Sequence, residues 1–276
     1  MNKIVGKRTL APNVTEYVIK APDIVRYAKA GQFVIVRVTE DGERVPFTLC
    51  NIDKENGNIT LLVQTVGYST SVMEGLMVGD FVTDLVGPLG NPTDLSKYND
   101  ILLICGGIGV AVIYPQAAEL HSQGKAADVI LGARNKDLVV YESELSACSK
   151  NLYIVTNDGS MGEKGFVTDK LKSLLETGKY DCVFAVGPLP MMKAVCDITK
   201  DKNLPTIVSM NSIMVDGTGM CGGCRVTVGG KTKYACVDGP EFDGLQVDFD
   251  EAINRSAYYR EIEEKHRCRL RGSKND

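Results

Sequence analysis

The chain has 276 residues, of which 44% are hydrophobic and 24% charged, and a formal net charge of −4. That length holds two ordinary domains and a small module, and the acidic balance excludes binding through nucleic-acid phosphates, which needs a basic face. No apolar run is long enough to span a bilayer, and Met1-Asn2-Lys3-Ile4-Val5 enters strand-like alternation with no signal-peptide core, so a cytoplasmic protein without membrane association is expected.

Residues 1–97 read as short strands of period two, as in Thr15–Lys20, Phe33–Val38 and Ile59–Gln64, separated by turns such as Glu55-Asn56-Gly57-Asn58. Closely spaced strands with turn signals predict a small antiparallel barrel. Two of its segments carry polar groups that a core strand does not need: Arg44-Val45-Pro46-Phe47-Thr48-Leu49 and Val66-Gly67-Tyr68-Ser69-Thr70-Ser71. An Arg suits a pyrophosphate, a planar apolar side chain suits a flavin face, and a hydroxyl reaches the flavin N5 edge. Gly with Ser or Thr at a helix start offers backbone amides to phosphate. Taken singly, each segment also reads as an ordinary strand end or helix N-cap.

From residue 98 to 208 the pattern changes. Ile101-Leu102-Leu103-Ile104 is a continuous apolar run, as expected of a parallel strand buried on both faces. Similar runs recur at Asp128–Leu131, Leu152–Val155, Cys182–Val186 and Thr206–Val208, with helical stretches around Ala117–Leu120, Val167–Glu176 and Met191–Lys200. Strands alternating with helices predict a doubly wound parallel sheet. Cys105-Gly106-Gly107-Ile108-Gly109-Val110-Ala111 follows a strand and opens a helix, the setting of a dinucleotide-binding turn. It departs from G-x-G-x-x-G, since the last position counted from Gly107 is Val112, and the next strand runs into Gly132-Ala133-Arg134 with no acidic residue at its end. Nucleotide binding outside the usual dehydrogenase pattern is the expectation. Two further loops, Thr156-Asn157-Asp158-Gly159-Ser160 and Gly187-Pro188-Leu189-Pro190, fall at strand carboxyl ends, where such sheets bind ligands.

Residues 209–276 break into a Gly- and Cys-rich segment and then a charged, helical tail from about Asp250. Of nine cysteines, Cys50, Cys105, Cys148, Cys182 and Cys196 sit among apolar neighbours and read as small core residues, and Cys268 lies in the charged tail. With only His121 and His266 in the chain, haem, Rieske and zinc-hydrolase chemistries lack ligands. Cys221, Cys224 and Cys236 are clustered, and Asp216 stands five residues before Cys221, giving D-x4-C-x2-C-x11-C. This is the C-x4-C-x2-C…C spacing of plant-type [2Fe–2S] proteins with a carboxylate in place of the first thiolate. Structural zinc would want a second C-x2-C pair or nearby histidines; the second pair is missing and no His is local. An Asp before Gly is also a common turn residue; Asp216 is favoured as a ligand because it falls where the missing cysteine belongs.

A barrel, a nucleotide sheet and a C-terminal iron–sulfur patch together resemble the ferredoxin–NADP reductase superfamily, and within it the electron-transfer subunits of dihydroorotate dehydrogenase and their relatives. Met214-Val215-Asp216-Gly217-Thr218-Gly219-Met220-Cys221-Gly222-Gly223-Cys224-Arg225 is the most specific segment. Asp216 and Cys236-Val237-Asp238-Gly239-Pro240-Glu241-Phe242 point to the electron-bifurcating branch, which includes the small subunits of NADH-dependent reduced ferredoxin:NADP⁺ oxidoreductases. The resemblance implies an FAD-binding barrel over 1–97, an NAD-binding α/β domain over 98–208, and a [2Fe–2S] module with a C-terminal helix over 209–276. It implies FAD contacts from Arg44, Pro46, Phe47, Thr48, Gly67, Ser69 and Thr70, although Val45 stands where the family has Arg directly before the Pro. It places NAD(H) at Gly106, Gly107, Gly109, Asp158 and Gly187, and the cluster on Asp216, Cys221, Cys224 and Cys236. NADH would deliver hydride to the flavin, and single electrons would pass to a larger subunit carrying its own flavin and iron–sulfur clusters. The competing expectations are a dihydroorotate dehydrogenase subunit and a non-catalytic metal-binding assembly subunit.

Overall fold

The computed structural model describes residues 2–258. The N-terminal part contains β1 (Asn2–Ala11), β2 (Val14–Lys20), α1 (Pro22–Val25), β3 (Phe33–Arg37), β4 (Arg44–Thr48), β5 (Asn51–Asp53), β6 (Asn58–Gln64), α2 (Tyr68–Glu74), β7 (Phe81–Val82) and β8 (Asp84–Leu89). Its strands form an antiparallel five-stranded sheet, β5-β6-β2-β1-β7, facing a three-stranded sheet, β4-β3-β8. Alternating residues such as Tyr17, Ile19, Val34, Val36, Ile59 and Leu61 fill the space between them. The amides of Leu49 and Cys50, bonded to the carbonyls of Gln32 and Thr60, carry the chain from one sheet to the other and close the barrel.

The second part contains β9 (Ile101–Gly106), α3 (Val110–Ser122), β10 (Asp128–Ala133), α4 (Glu142–Ser146), β11 (Asn151–Thr156), β12 (Glu163–Lys164), α5 (Val167–Thr177), β13 (Cys182–Val186), α6 (Leu189–Lys200) and β14 (Thr206–Ser209). The sheet order is β12-β11-β10-β9-β13-β14, all parallel, with one further strand at the β14 edge. The apolar run of β9 is explained by helices on both faces: Leu103 and Cys105 pack with Val110 and Ile113 of α3, while Leu102 and Ile104 pack with Leu171 of α5 and Val195 of α6. The five scattered cysteines are buried, as expected of core residues.

The last part adds β15 (Arg225–Val228), β16 (Lys231–Tyr234), β17 (Glu241–Asp243) and α7 (Phe249–Ser256). β17 joins the nucleotide sheet antiparallel to β14, with Ser209 opposite Glu241, so this part is hydrogen-bonded to the sheet edge. α7 falls within the expected helical tail; residues 259–276, with His266 and Cys268, lie outside the described residues. Among the described residues, no helix is long and apolar enough to cross a membrane.

Barrel and sheet share a core in which Val14, Cys50 and Leu62 meet Val112 and Tyr141. There the Tyr141 hydroxyl donates to Glu16 at 2.6 Å, and Arg8 bridges Glu16 and Glu144. Burial, then Cys50 and Glu16, raise the Tyr141 phenol above its ordinary value, so it stays a donor. Tyr141→Phe is expected to lower stability by about 1–2 kcal/mol, the cost of leaving a half-buried carboxylate one donor short; urea unfolding checks this, and an unchanged midpoint would show that Arg8 alone satisfies Glu16.

Candidate functional site

Strand β3 presents a different side chain to each of two cores. Val34 and Val36 enter the barrel core, whereas Phe33 and Ile35 pack with the sheet helices and the cysteine segment. β4 pairs with β3 in the register Phe33↔Thr48, Val34↔Phe47, Ile35↔Pro46 and Arg37↔Arg44. Paired residues share a face, so Arg44, Pro46 and Thr48 lie on the side turned toward the nucleotide sheet. Phe47 lies on the other side, half-buried against the barrel core. The four expected flavin residues are thus divided between two faces. Arg44 is exposed, and its guanidinium stands 4.0 Å from Asp84.

Gly67 caps α2 in extended backbone. The Thr70 hydroxyl accepts from the amides of Val66 and Gly67, both at 3.0 Å, and so holds the turn. The Ser69 hydroxyl donates to Glu43 at 2.8 Å, a contact the sequence did not announce.

The strand order reverses between β9 and β13, and the glycine loops lie at that switch point, where open α/β sheets bind ligands. Gly106 and Gly187 close on one another over Met191: a Cβ on Gly187 would stand 2.6 Å from Met191 Cε and 3.2 Å from the Gly106 amide. A Cβ on Gly109 would stand 2.5 Å from the carbonyl oxygen of Val186, so the first turn of α3 touches β13 only because Gly109 has no side chain. Asp158 lies two strands away, past β11; its carboxylate accepts from the Ser160 amide and hydroxyl at 2.9 and 2.7 Å, which holds it below the usual carboxylate range. Ser160 in turn accepts from the Lys136 amide, tying this loop to the one after β10.

In the cysteine segment, Cys224 and Cys236 are buried with sulfurs 3.2 Å apart, and Cys221 is exposed. The Gly223 amide donates to Cys221 Sγ and the Cys236 amide to Cys224 Sγ, each at 3.4 Å. Amide donation lowers the Cys221 thiol, while burial pushes Cys236 up to about 12. Three thiols on glycine-rich backbone, with amides aimed at sulfur, fit an iron–sulfur cluster. Among the described residues no three His, Cys, Asp or Glu side chains form a ligating group: the sulfurs are gathered as a buried pair and one at the rim. Asp216 accepts from the Thr218 amide and hydroxyl and the Met220 amide at 2.7–3.1 Å, and those donors lower its pKa. Its carboxylate is therefore engaged by its own turn.

The cysteine segment and the β3–β4 face meet at Gly217, whose φ of +83° suits glycine. A Cβ there would stand 2.8 Å from Leu89 Cδ1 and 3.0 Å from Ile35 Cγ1. Ile35 is thus in contact with the cysteine loop and paired with Pro46.

A barrel joined to a doubly wound sheet, with glycine loops at the switch point and a thiol loop beside the barrel, defines a pyridine-nucleotide-linked flavoprotein reductase with an iron–sulfur module. Its cofactors are FAD, NAD(H) and a [2Fe–2S] cluster. The comparisons agree. Residues 103–197 match the oxidoreductase NAD-binding domain, and residues 211–248 match the iron–sulfur cluster binding domain of dihydroorotate dehydrogenase B. The dihydroorotate dehydrogenase B (NAD(+)) electron transfer subunit homolog of Thermotoga maritima is 44% identical over 263 residues, covering 95% of this chain and 93% of that one. The electron transfer subunit of Streptococcus pneumoniae is 34% identical, covering 87% and 94%. A solved structure of NADH-dependent reduced ferredoxin-NADP oxidoreductase, described for flavin-based electron bifurcation, superposes with a TM-score of 0.93 at 42% identity, covering 98% of each chain. Phthalate dioxygenase reductase, at 19% identity and a TM-score of 0.60, shares the fold. The chain belongs to the dihydroorotate dehydrogenase B electron-transfer subunit family and is an oxidoreductase subunit.

Gly109→Ala is expected to destabilise the protein by about 1–3 kcal/mol through overpacking against Val186 and to weaken NADH binding. Gly107→Ala, with nothing within 4 Å of the added Cβ, meets only backbone strain at φ +56° and is expected to cost about 1 kcal/mol. Thermal unfolding and NADH titration of both variants check the ranking.

Proposed function

We propose that the chain is the small subunit of an electron-bifurcating NADH-dependent reduced ferredoxin:NADP⁺ oxidoreductase. The observation that carries this reading is the full-length likeness to the bifurcating reductase at 42% identity. Its residues divide into three working units, at 1–97, 98–208 and 209–276.

Arg44, Pro46 and Thr48 line the flavin from one face of β4, with Phe47 bracing that strand from the barrel side. Gly67, Ser69 and Thr70 hold its phosphates at the α2 turn, and Ser69 exchanges its bond to Glu43 for one to phosphate. Gly106, Gly107, Gly109 and Gly187 admit the nicotinamide nucleotide close to the backbone, and Asp158 accepts hydrogen bonds from its ribose. Asp216, Cys221, Cys224 and Cys236 ligate the cluster, and amides of the same loop stabilise the thiolates. When bound, FAD would supply hydride acceptance from NADH and the [2Fe–2S] cluster would supply one-electron transfer. The chain needs no general acid or base for this.

The partner is a larger flavin and iron–sulfur subunit, and the rim beside Cys221 suits it. Met220 is 88% exposed, and Ile213, Val215 and Val237 are also exposed there. An apolar rim excludes water when covered by another protein surface. The other described cysteines are buried singly, so further clusters reside in the partner. The decisive assay uses the copurified complex: NADPH should reduce ferredoxin only when NAD⁺ is also present. A complex that instead oxidises dihydroorotate with NAD⁺ overturns this reading in favour of the dehydrogenase subunit.

Cys221→Ser, Cys224→Ser and Cys236→Ser are each expected to remove the [2Fe–2S] absorption and iron while FAD is retained, because the flavin residues lie in another segment. Loss of FAD with the cluster intact would contradict the assignment. For Asp216, the Asn variant keeps an acceptor for the turn but removes the anionic oxygen. Asp216→Cys is expected to retain a cluster with altered EPR spectrum and potential, and Asp216→Asn to leave a labile one; unchanged spectra in both would make Asp216 a turn residue only.

A further inference from the structure

Away from these cofactor sites lies a cleft of about 580 Å³, walled by Thr93 and Lys97 from the segment joining barrel to sheet, Pro205 and Ile207 at β14, and Glu241 and Phe242 of β17. It lies against the sheet edge at β14, not at the carboxyl-end loops that carry the nucleotide site.

Glu241 is fixed in its wall by all three segments. Its Oε2 accepts from the Thr93 hydroxyl at 2.5 Å and its Oε1 from the Ser209 hydroxyl at 3.1 Å, while the β14–β17 register sets Ser209 opposite it. Both partners are neutral. Among the described residues no Lys, Arg or His forms an ion pair with Glu241. Lys97 faces the same cleft but lies 4.9 Å from the Tyr98 ring centre. Burial raises the Glu241 carboxyl to about 7, so it is ionised for much of the time at neutral pH with no counter-ion of its own. Withdrawing a carboxylate from water without a cation is costly; here the missing charge faces a space of small-ligand size.

We propose that this cleft is a binding site for an ammonium or guanidinium group, with Glu241 as its counter-ion. Ile207 and Phe242 offer an apolar wall to the stem that carries the cation. The cleft adjoins the cysteine loop: the Asn91 side chain at its edge donates to the Val237 carbonyl at 3.0 Å, and its amide donates to Gly239 at 2.7 Å. The cation can therefore come from a basic side chain of a protein docked over that loop or from a free amine, and the test separates them.

The titratable groups of the walls are Lys97 and Tyr98 on the joining segment and Glu241 and Asp243 on β17; the β14 wall contributes none. Glu241 has a folded pKa above its unfolded one, so its contribution to stability is full in acid and is lost as pH rises through about 7. A cation bound to the ionised form offsets that loss. Affinity should rise about tenfold per pH unit below the Glu241 pKa and level off above it.

Calorimetry on the cofactor-loaded chain, with methylguanidinium and n-butylamine as probes and methylurea as the neutral control, tests this on both sides of neutrality. Both cations should bind, more tightly at the higher pH, and Glu241→Gln should abolish the binding while leaving the protein folded and no less stable above neutrality. Binding that is equal in wild type and variant, matched by methylurea, or independent of pH overturns the proposal. Repeating the titration on the assembled complex assigns the source: Glu241-dependent binding that disappears on assembly supports a partner's basic side chain, and binding that persists supports a free amine.

Discussion

Strand β3 has both faces buried, Val34 and Val36 in the barrel core and Phe33 and Ile35 against the sheet and cysteine loop, and this double burial holds barrel, sheet and cysteine loop against one another. A strand with one solvated face would leave the barrel free to tilt away from the sheet. Here Ile35 is paired with Pro46 on one side and approached by Gly217 on the other, so the β4 face and the thiol loop are held together by one fully buried side chain. Interiors are close-packed and transmit small displacements; enlarging Gly217 or shrinking Ile35 would shift the loop relative to the barrel. The contact between the barrel and the cysteine loop is therefore made by ordinary apolar packing.

The joints around this centre differ in chemistry. Barrel and sheet are tied by Tyr141, Glu16 and Arg8, a charged cluster at a shared apolar core. Sheet and thiol module are joined by backbone pairing of β14 with β17, which cannot slide without exposing peptide groups. The joining segment meets β17 through Thr93 and Glu241, a contact whose strength changes with protonation. Two joints are apolar packing or backbone pairing, and the third holds a carboxyl that burial pushes up to about 7, beside the cysteine loop.

Much of this was legible in the residues. Ile101–Ile104 announced a strand covered on both faces because continuous apolarity has no other use in a soluble sheet, and β9 is covered on both faces. The spacing of Cys221, Cys224 and Cys236 announced an iron–sulfur module, and residues 211–248 match the iron–sulfur cluster binding domain of dihydroorotate dehydrogenase B. Less legible was the side of β4 on which each residue falls. The segment Arg44–Thr48 reads as one motif, yet alternation sends Phe47 to the barrel core and its neighbours outward, and only the pairing with β3 fixes which set goes where. For Asp216 the sequence left two roles open, ligand and turn residue, and the Thr218 and Met220 donors show that it serves its own turn. Glu241 belongs to the segment that carries the family resemblance, but the hydroxyl donors that hold it, Thr93 and Ser209, are far away in sequence.

Because packing through Ile35 and Gly217 holds the β4 face and the cysteine loop together, the flavin and cluster proposed for them should exchange electrons directly within one chain. Delivering a single electron by pulse radiolysis to the cofactor-loaded chain, and following the flavin and cluster absorption bands, tests it most directly. The account predicts redistribution between the two bands by a first-order process whose rate is unchanged when protein concentration is varied. A rate proportional to protein concentration, or no redistribution until the partner is added, would contradict it.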